Sequence, residues 1–214
     1  MRLPGVFKPR SDTWLLAAHL RRQPQVRGAV LDLCTGSGAL AVAAAGADAT
    51  SVTAVDLSWR AVITAQLNAR LNGVRVRTRR GSLLDAVPGE RFDMIVSNPP
   101  YLPGDDPADR GTARHIEGGR DGRDLLDRII EAAPAHLNPG GVLMVTHSSI
   151  NGEETSLERM RAAGLEAGVL DRVPGPLGPL LMARAPELER RGLLSPGARD
   201  EELLIVAGRL PSNT

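Results

Sequence analysis

Three groups of residues carry chemistry by type and spacing. The first is Asn98-Pro99-Pro100-Tyr101, directly after the apolar run FDMIV and Ser97. Proline removes a backbone donor and is excluded from central strands. Two prolines where a core strand stops therefore mark either a turn or a site. Such prolines supply carbonyl acceptors without competing N–H donors, and they stiffen the chain. The second group is the turn Thr35-Gly36-Ser37-Gly38, with Asp32 four residues before Gly36. The third is Asp56, twenty residues after Gly36. A glycine turn at a helix start allows close backbone approach and offers free N–H groups. A carboxylate closing the next strand can accept both hydroxyls of a ribose. Together these residues predict an adenosine-bearing cofactor of one of two classes. GSGALA satisfies the dinucleotide fingerprint, with Ala41 at its third small position. Asp32 points in part to the other class. A carboxylate there repels a pyrophosphate but suits the cationic amino group of S-adenosyl-L-methionine.

The elements that must hold these groups follow from periodicity. AVLDLC (29–34) is a short bounded apolar run, a parallel-strand pattern. GALAVAAAG (38–46) predicts a helix ending at Gly46, and β-branched TSVTAVD (50–56) a strand. SWRAVITAQLNARLNG (58–73) predicts a helix from Ser58 to an Asn72-Gly73 cap. Strands are expected at 74–78, 92–97, 141–147, 165–173 and 201–210, and helices at 123–137 and 153–164. Residues 179–192 read as a crossing helix or loop. This alternation predicts a single α/β domain over 1–214 with a parallel central sheet. Residues 102–122, rich in Gly, Asp and Arg, are expected to form a substrate lid.

Composition narrows the function classes. The 214 residues are 42% hydrophobic and 24% charged, as in ordinary globular proteins. No apolar run is long enough for a membrane helix, and the N-terminus lacks the pattern of a signal peptide. Cys34 is the one cysteine, so no intrachain disulfide can form, and a reducing, cytoplasmic location is expected. Buried inertness is expected of Cys34. The four histidines show no ligand spacing, so no metal is expected. A net charge of +1 argues against broad phosphate-backbone binding, hence against a nucleic-acid partner. His115 and His147 read as loop or core residues rather than catalytic ones, and Glu117 as a solvated loop carboxylate.

LDLCTGSGALAVAAA, VDLSWRAVITAQLNARLNG and FDMIVSNPPY resemble class I S-adenosylmethionine-dependent methyltransferases. The closer resemblance is to the release-factor (protein) glutamine N5-methyltransferase family. Its hallmark is Asn-Pro-Pro-Tyr at the end of the fourth strand. VFKPRSDTWLL (6–16) is similar to that family's aromatic-x-Pro-x-x-Asp-Thr segment, which closes over the cofactor. EGGRDGRDLLDRII (117–130) is similar to its Gly-Gly-x-Asp-Gly segment. The resemblance covers roughly residues 6–210.

The resemblance implies a Rossmann-like fold. Its sheet would be mainly parallel and seven-stranded, with helices on both faces and a C-terminal antiparallel strand. It implies S-adenosyl-L-methionine as cofactor and S-adenosyl-L-homocysteine as product. Residues 1–27 would close over the cofactor, with Thr13 at its methionine end. Asp32 would hold its amino-acid moiety, with Cys34, Thr35, Gly36 and Gly38 in the turn. Asp56 would bind the ribose, Leu57 would line the adenine, and Ser82 and Leu83 would meet its edge. Asn98 would lie between cofactor and substrate. Cys34 stands where the family usually has Gly, and Ser82 where it usually has Asp. The bacterial enzymes carry an N-terminal helical domain, whereas about ten residues precede the cofactor segment here. The resemblance is therefore expected to be to the short, single-domain type, whose members often work with a small activating subunit.

The implied chemistry is an in-line displacement by a planar amide nitrogen of a protein such as a peptide chain release factor. That nitrogen is a poor nucleophile, so the site must orient it. The Asn98 side-chain oxygen and the Pro99 carbonyl would fix an NH2 group, and Pro100 and Tyr101 would sandwich the flat amide. Two alternatives stand beside this reading. One is an adenine-N6 or other nucleic-acid amine methyltransferase, which would want a basic face and a target-recognition region. The other is a non-catalytic scaffold that binds the cofactor and activates a partner.

Overall fold

The computed structural model of the chain describes residues 1–104 and 117–212. Helix α1 (Ser11–Leu20) precedes strand β1 (Ala29–Leu33). Then come α2 (Ala39–Ala45), β2 (Ser51–Asp56), α3 (Trp59–Leu71), β3 (Arg77–Arg80) and β4 (Phe92–Ser97). The second half holds α4 (Asp124–Ala132), β5 (Leu137–Ser148), α5 (Glu153–Ala162), β6 (Glu166–Pro176), α6 (Pro179–Arg190) and β7 (Asp200–Arg209). The seven strands form one sheet in the order β3-β2-β1-β4-β5-β7-β6. β7 runs antiparallel to both of its neighbours, and the other pairs are parallel. This is the expected class I methyltransferase architecture.

The central strands β1, β4 and β5 are apolar because both faces of the sheet are covered there, whereas the edge strands β3 and β6 are largely polar and exposed. Alternate residues of a strand point to opposite faces. Val30, Met94, Val96 and Met144 pack with Leu16 and Leu20 of α1 and Leu40 and Ala44 of α2. Leu31, Leu33, Ile95, Leu143 and Val145 pack with Leu126, Ile129 and Ile130 of α4 and Met160 of α5. Asp32 lies on the α2 side, between these apolar neighbours.

Strand order reverses between β1 and β4, and open α/β sheets bind ligands beyond the carboxyl ends at such a point. The register pairs Leu33 with Ser97. Cys34 and Asn98 therefore leave the sheet side by side, and the Ser97 hydroxyl donates to Leu33 O at 2.9 Å.

Several boundaries differ from the sequence expectation. Helix α1 was not expected inside residues 1–27; its buried stripe of Leu16, Ala17 and Leu20 docks it on the sheet. β3 lies at 77–80 rather than 74–78, because Thr53 to Asp56 of β2 pair with Arg77 to Arg80. The helix expected over 123–137 ends as α4 at Ala132, and Pro134, which lacks an N–H, sits in a 3-10 turn. β6 runs on through Pro174 and Pro176, which an edge strand tolerates. Of the lid expected over 102–122, residues 105–116 lie outside the described residues. The described ends form a stem rather than a free loop. Gly118 N donates to Leu102 O at 3.0 Å and Gly104 N to Gly119 O at 2.9 Å. Glu117, expected to be solvated, is ion-paired to Arg184.

Candidate active site

A cavity of about 1240 Å³ opens beyond the carboxyl ends of β1, β2 and β4. Its floor includes Cys34, Gly36, Asp56, Leu57, Ser82 and Leu83, and one wall is Asn98-Pro99-Pro100-Tyr101. The sequence therefore brought the glycine turn, the distant carboxylate and the proline motif into one space. Thr13, Asp32, Thr35 and Gly38 are not among its lining residues.

Asp56 ties the floor together. Its Oδ2 accepts from Gly36 N at 2.9 Å and its Oδ1 from Ser58 N at 2.9 Å. Beside it Leu57 is 69% exposed, a large apolar side chain standing in the cavity. The Ser82 hydroxyl accepts from Arg128 Nη2 at 3.2 Å, and Arg128 also lines the cavity. Cys34 and Leu83 hold left-handed backbone, with φ of 55° and 48°. Cys34, expected to be buried, is half-buried and lines the cavity; desolvation pushes its thiol up to about 12, which keeps it protonated at neutral pH.

Asp32 sits behind the turn. Its Oδ2 accepts from Thr35 Oγ1 at 2.5 Å and from Ala41 N at 3.0 Å. Its Oδ1 is buried with no hydrogen-bond partner. Burial lifts its pKa to about 7, against the lowering by Thr35 and Ala41. Gly38 serves packing: a Cβ there would lie 2.8 Å from Ala65 Cα of α3.

The proline wall is held from two sides. On one side Asn98 Nδ2 donates to Thr13 Oγ1 at 3.0 Å, and the Tyr101 hydroxyl donates to Asp12 Oδ2 at 3.2 Å. Burial, then the Asp12 charge, keep the Tyr101 phenol well above its usual pKa, so it stays a donor. On the other side Asn151 Nδ2 donates to Tyr101 O at 2.7 Å and Asp121 O at 2.9 Å. Buried Arg123 in turn donates to Asn151 O at 2.6 Å and Asp127 Oδ1 at 2.7 Å. The Gly-Gly-x-Asp-Gly segment is thus a buttress for Tyr101.

Sequence reasoning missed three parts of the site. Asp12 is one; it stood beside Thr13 in the SDTWLL stretch. The Pro/Gly-rich wall around Val173–Gly178 is another, and Glu201 of β7 the third. The prolines spaced by glycine in VPGPLGP were the signal of a stiff wall.

Residues 1–163 match the family model described as methyltransferase small domain. The chain belongs to that family. This methyltransferase is 34% identical over 185 residues to a Methanocaldococcus jannaschii chain named as a candidate protein N5-glutamine methyltransferase, covering 85% of this chain and 92% of that one. It is 39% identical over 187 residues to the release factor glutamine methyltransferase of Geobacter sulfurreducens, covering 80% of this chain but 66% of that enzyme. Among solved structures it is similar to the E. cuniculi Mtq2-Trm112 complex, responsible for methylation of the eRF1 translation termination factor. The likeness has a TM-score of 0.66 at 25% identity and covers 96% of this chain and 99% of that one. The family of this methyltransferase is S-adenosyl-L-methionine-dependent. The residues present fit that group. Asp32 Oδ1 is a buried acceptor without a hydrogen-bond partner behind the glycine turn, where a cationic group would favour the ionised carboxylate. Asp56 and the exposed Leu57 offer an acceptor and an apolar surface in the same cavity. Among the described residues, no helix is long and apolar enough to cross a membrane.

Proposed function

We propose that the chain methylates the side-chain amide nitrogen of a glutamine in a protein, a peptide chain release factor, in the cytoplasm. The observation that carries this reading is the Asn98 carboxamide. Its Nδ2 is committed to Thr13 Oγ1, which leaves Oδ1 as the acceptor this cavity-lining residue offers. With the Pro99 carbonyl next to it, the wall can take both hydrogens of one NH2 group. Pro100 and Tyr101 supply flat apolar surface for a planar amide.

Bound S-adenosyl-L-methionine supplies an electrophilic methyl on a sulfonium. Asp56 would hold its ribose, Leu57 would line its adenine, and Ser82 and Leu83 would meet the adenine edge. Asp32 would act as the negative charge behind the turn, with Cys34, Gly36 and Gly38 shaping it. Asn98 and Pro99 would orient the amide nitrogen in line with the methyl. Holding reacting atoms about 3–3.5 Å apart removes several kcal/mol of the barrier. No base is required, because the amide proton becomes acidic as the methyl transfers.

The test is transfer of labelled methyl to a release factor, with the product located by mass spectrometry. Oligonucleotides serve as the competing substrate. The assay is run with and without a small partner chain of the kind Mtq2 carries. Methyl on a glutamine side chain is expected. Methyl on oligonucleotides alone would replace this reading by a nucleic-acid amine methyltransferase.

A further inference from the structure

One carboxylate of α1 reaches both ends of the proline motif. Asp12 Oδ1 accepts from Thr13 N at 2.6 Å and from Thr13 Oγ1 at 3.2 Å. Thr13 Oγ1 accepts in turn from Asn98 Nδ2 at 3.0 Å. The other oxygen, Asp12 Oδ2, accepts from the Tyr101 hydroxyl at 3.2 Å. Asp12 is 7% exposed and Thr13 5% exposed, so water does not compete freely for these groups.

The direction of this chain is imposed at Asp12. An ionised carboxylate only accepts hydrogen bonds. The Thr13 hydroxyl therefore spends its single proton on Asp12 and meets Asn98 as an acceptor. Asn98 must then turn Nδ2 towards Thr13 and Oδ1 away from it. With a donor at position 12 the chain could run the other way, and Asn98 would present an NH2 group to the cavity. An NH2 group there would repel, not orient, an incoming amide NH2.

We propose that Asp12 is the positioning residue of this site. Through Thr13 it sets which atom Asn98 presents to the methyl acceptor, and with its second oxygen it pins Tyr101. This rests on Asn98 being the acceptor of the proposed reaction. It adds a cause for that role in Asp12, a largely buried residue of the cavity lining that acts through Thr13 and Tyr101.

The test uses Asp12→Asn, Thr13→Val and the pair combined, with Thr13→Ser as the conservative variant. Asp12→Asn keeps the shape of the side chain, so it separates direction from packing. Single-turnover methyl transfer to a release-factor fragment is measured at saturating S-adenosyl-L-methionine, and cofactor affinity is measured separately. A 15N spectrum of the asparagine side chains follows water exchange of the Asn98 carboxamide protons. Asp12→Asn and Thr13→Val should each slow transfer roughly tenfold to a hundredfold, as expected when a reacting group is misplaced. Cofactor affinity of Asp12→Asn should stay within about twofold, a change too small to reflect a lost contact. The double variant should be no slower than Thr13→Val, because residues acting in one chain are not additive. Thr13→Ser should restore the rate, and the Asn98 protons should exchange faster in Asp12→Asn. Additive losses, or unchanged Asn98 exchange in Asp12→Asn, would overturn the proposal. If the wild type leaves the release factor unmethylated, the substrate reading fails, and the exchange measurement still decides the role of Asp12.

Discussion

Gly122 touches the carbonyl of Tyr101 so closely that a Cβ on Gly122 would lie 2.0 Å from that oxygen. The same Cβ would lie 2.3 Å from Asn151 Nδ2, the group that hydrogen-bonds Tyr101 O. Gly122 also has φ of 78°, a conformation that L side chains rarely adopt. Gly122→Ala must push the proline wall out of place. The expected cost is about 2–3 kcal/mol of stability from overpacking and strain. Methyl transfer should fall further than cofactor affinity, since the Asp56 floor lies on other elements. Wild-type turnover in Gly122→Ala would show that the buttress does not place Tyr101.

Cys34 holds φ of 55° where the turn leaves β1. A left-handed non-glycine residue costs about 1–2 kcal/mol. Glycine removes that strain but gives back about 0.5–1 kcal/mol in chain entropy. Cys34→Gly should therefore be neutral to stabilising by about 1 kcal/mol, whereas β-branched Cys34→Val should destabilise by more than this. Thermal unfolding should rank Gly at or above Cys, and Cys above Val. The reverse order would mean that thiol packing outweighs backbone strain.

Much of this site was legible because it lies at strand ends. A bounded apolar run, a glycine turn and a carboxylate twenty residues on mark β1, its turn and the end of β2 without any tertiary information. The end of β4 is marked by its prolines. Other features depend on the three-dimensional fold. Asp12 and Tyr101 lie 89 residues apart and meet only because α1 docks beside the end of β4. Gly38 reads as a cofactor glycine, yet it meets Ala65 of the neighbouring helix. Ser82 reads as a residue of the adenine edge, yet it accepts from Arg128 of α4. The edge position that lets β6 keep Pro174 and Pro176 is a property of strand order, which local pattern does not carry.

Two buried groups should oppose each other in the pH dependence of stability. Burial raises Asp32 from 3.8 to about 7. Its contribution to stability is complete below pH 3.8 and is lost as pH rises through 7. Burial lowers His147 from 6.5 to about 4. Its contribution is complete above pH 6.5 and is lost as pH falls through 4. Between those limits the two slopes have opposite signs. Without cofactor, Asp32→Asn should lose stability on acidification relative to wild type, and His147→Gln should gain it. Urea unfolding from about pH 4 to 7, the window of these shifts, reads both. Parallel profiles for wild type and Asp32→Asn would show that Asp32 is ionised throughout.

Asp56 holds Gly36 N and Ser58 N and faces the cavity. Asp56→Ala removes both loop ties together with the proposed ribose acceptor. A hydrogen bond to a charged group contributes about 1.5–3 kcal/mol. S-adenosyl-L-methionine affinity should therefore fall by at least tenfold, or about 1.4 kcal/mol. Titration calorimetry measures it directly. Unchanged affinity, or tighter binding of a nicotinamide dinucleotide, would sink the ribose assignment.

Asn98 gives the sharpest test of the catalytic reading. Its Nδ2 is held by Thr13, so its Oδ1 is available to orient an incoming NH2 group. Asn98→Ala removes that acceptor and lets the nitrogen rotate. Loss of a preorganised contact of this kind costs about 3 kcal/mol, roughly two decades in rate. Turnover should fall more than cofactor affinity, because the contact acts on orientation. Asn98→Asp separates geometry from charge. Its carboxylate would face Thr13 Oγ1, whose one proton already goes to Asp12. Two carboxylates would then compete for one hydroxyl, and the side chain would swing off its wild-type position. The added negative charge should hold or strengthen binding of the cationic cofactor while transfer drops. Single-turnover transfer to a release-factor fragment, with affinity measured in parallel, resolves the two effects. If Asn98→Ala transfers methyl at the wild-type rate, Asn98-Pro99-Pro100-Tyr101 only ends a strand, and the chemistry must lie elsewhere in the cavity.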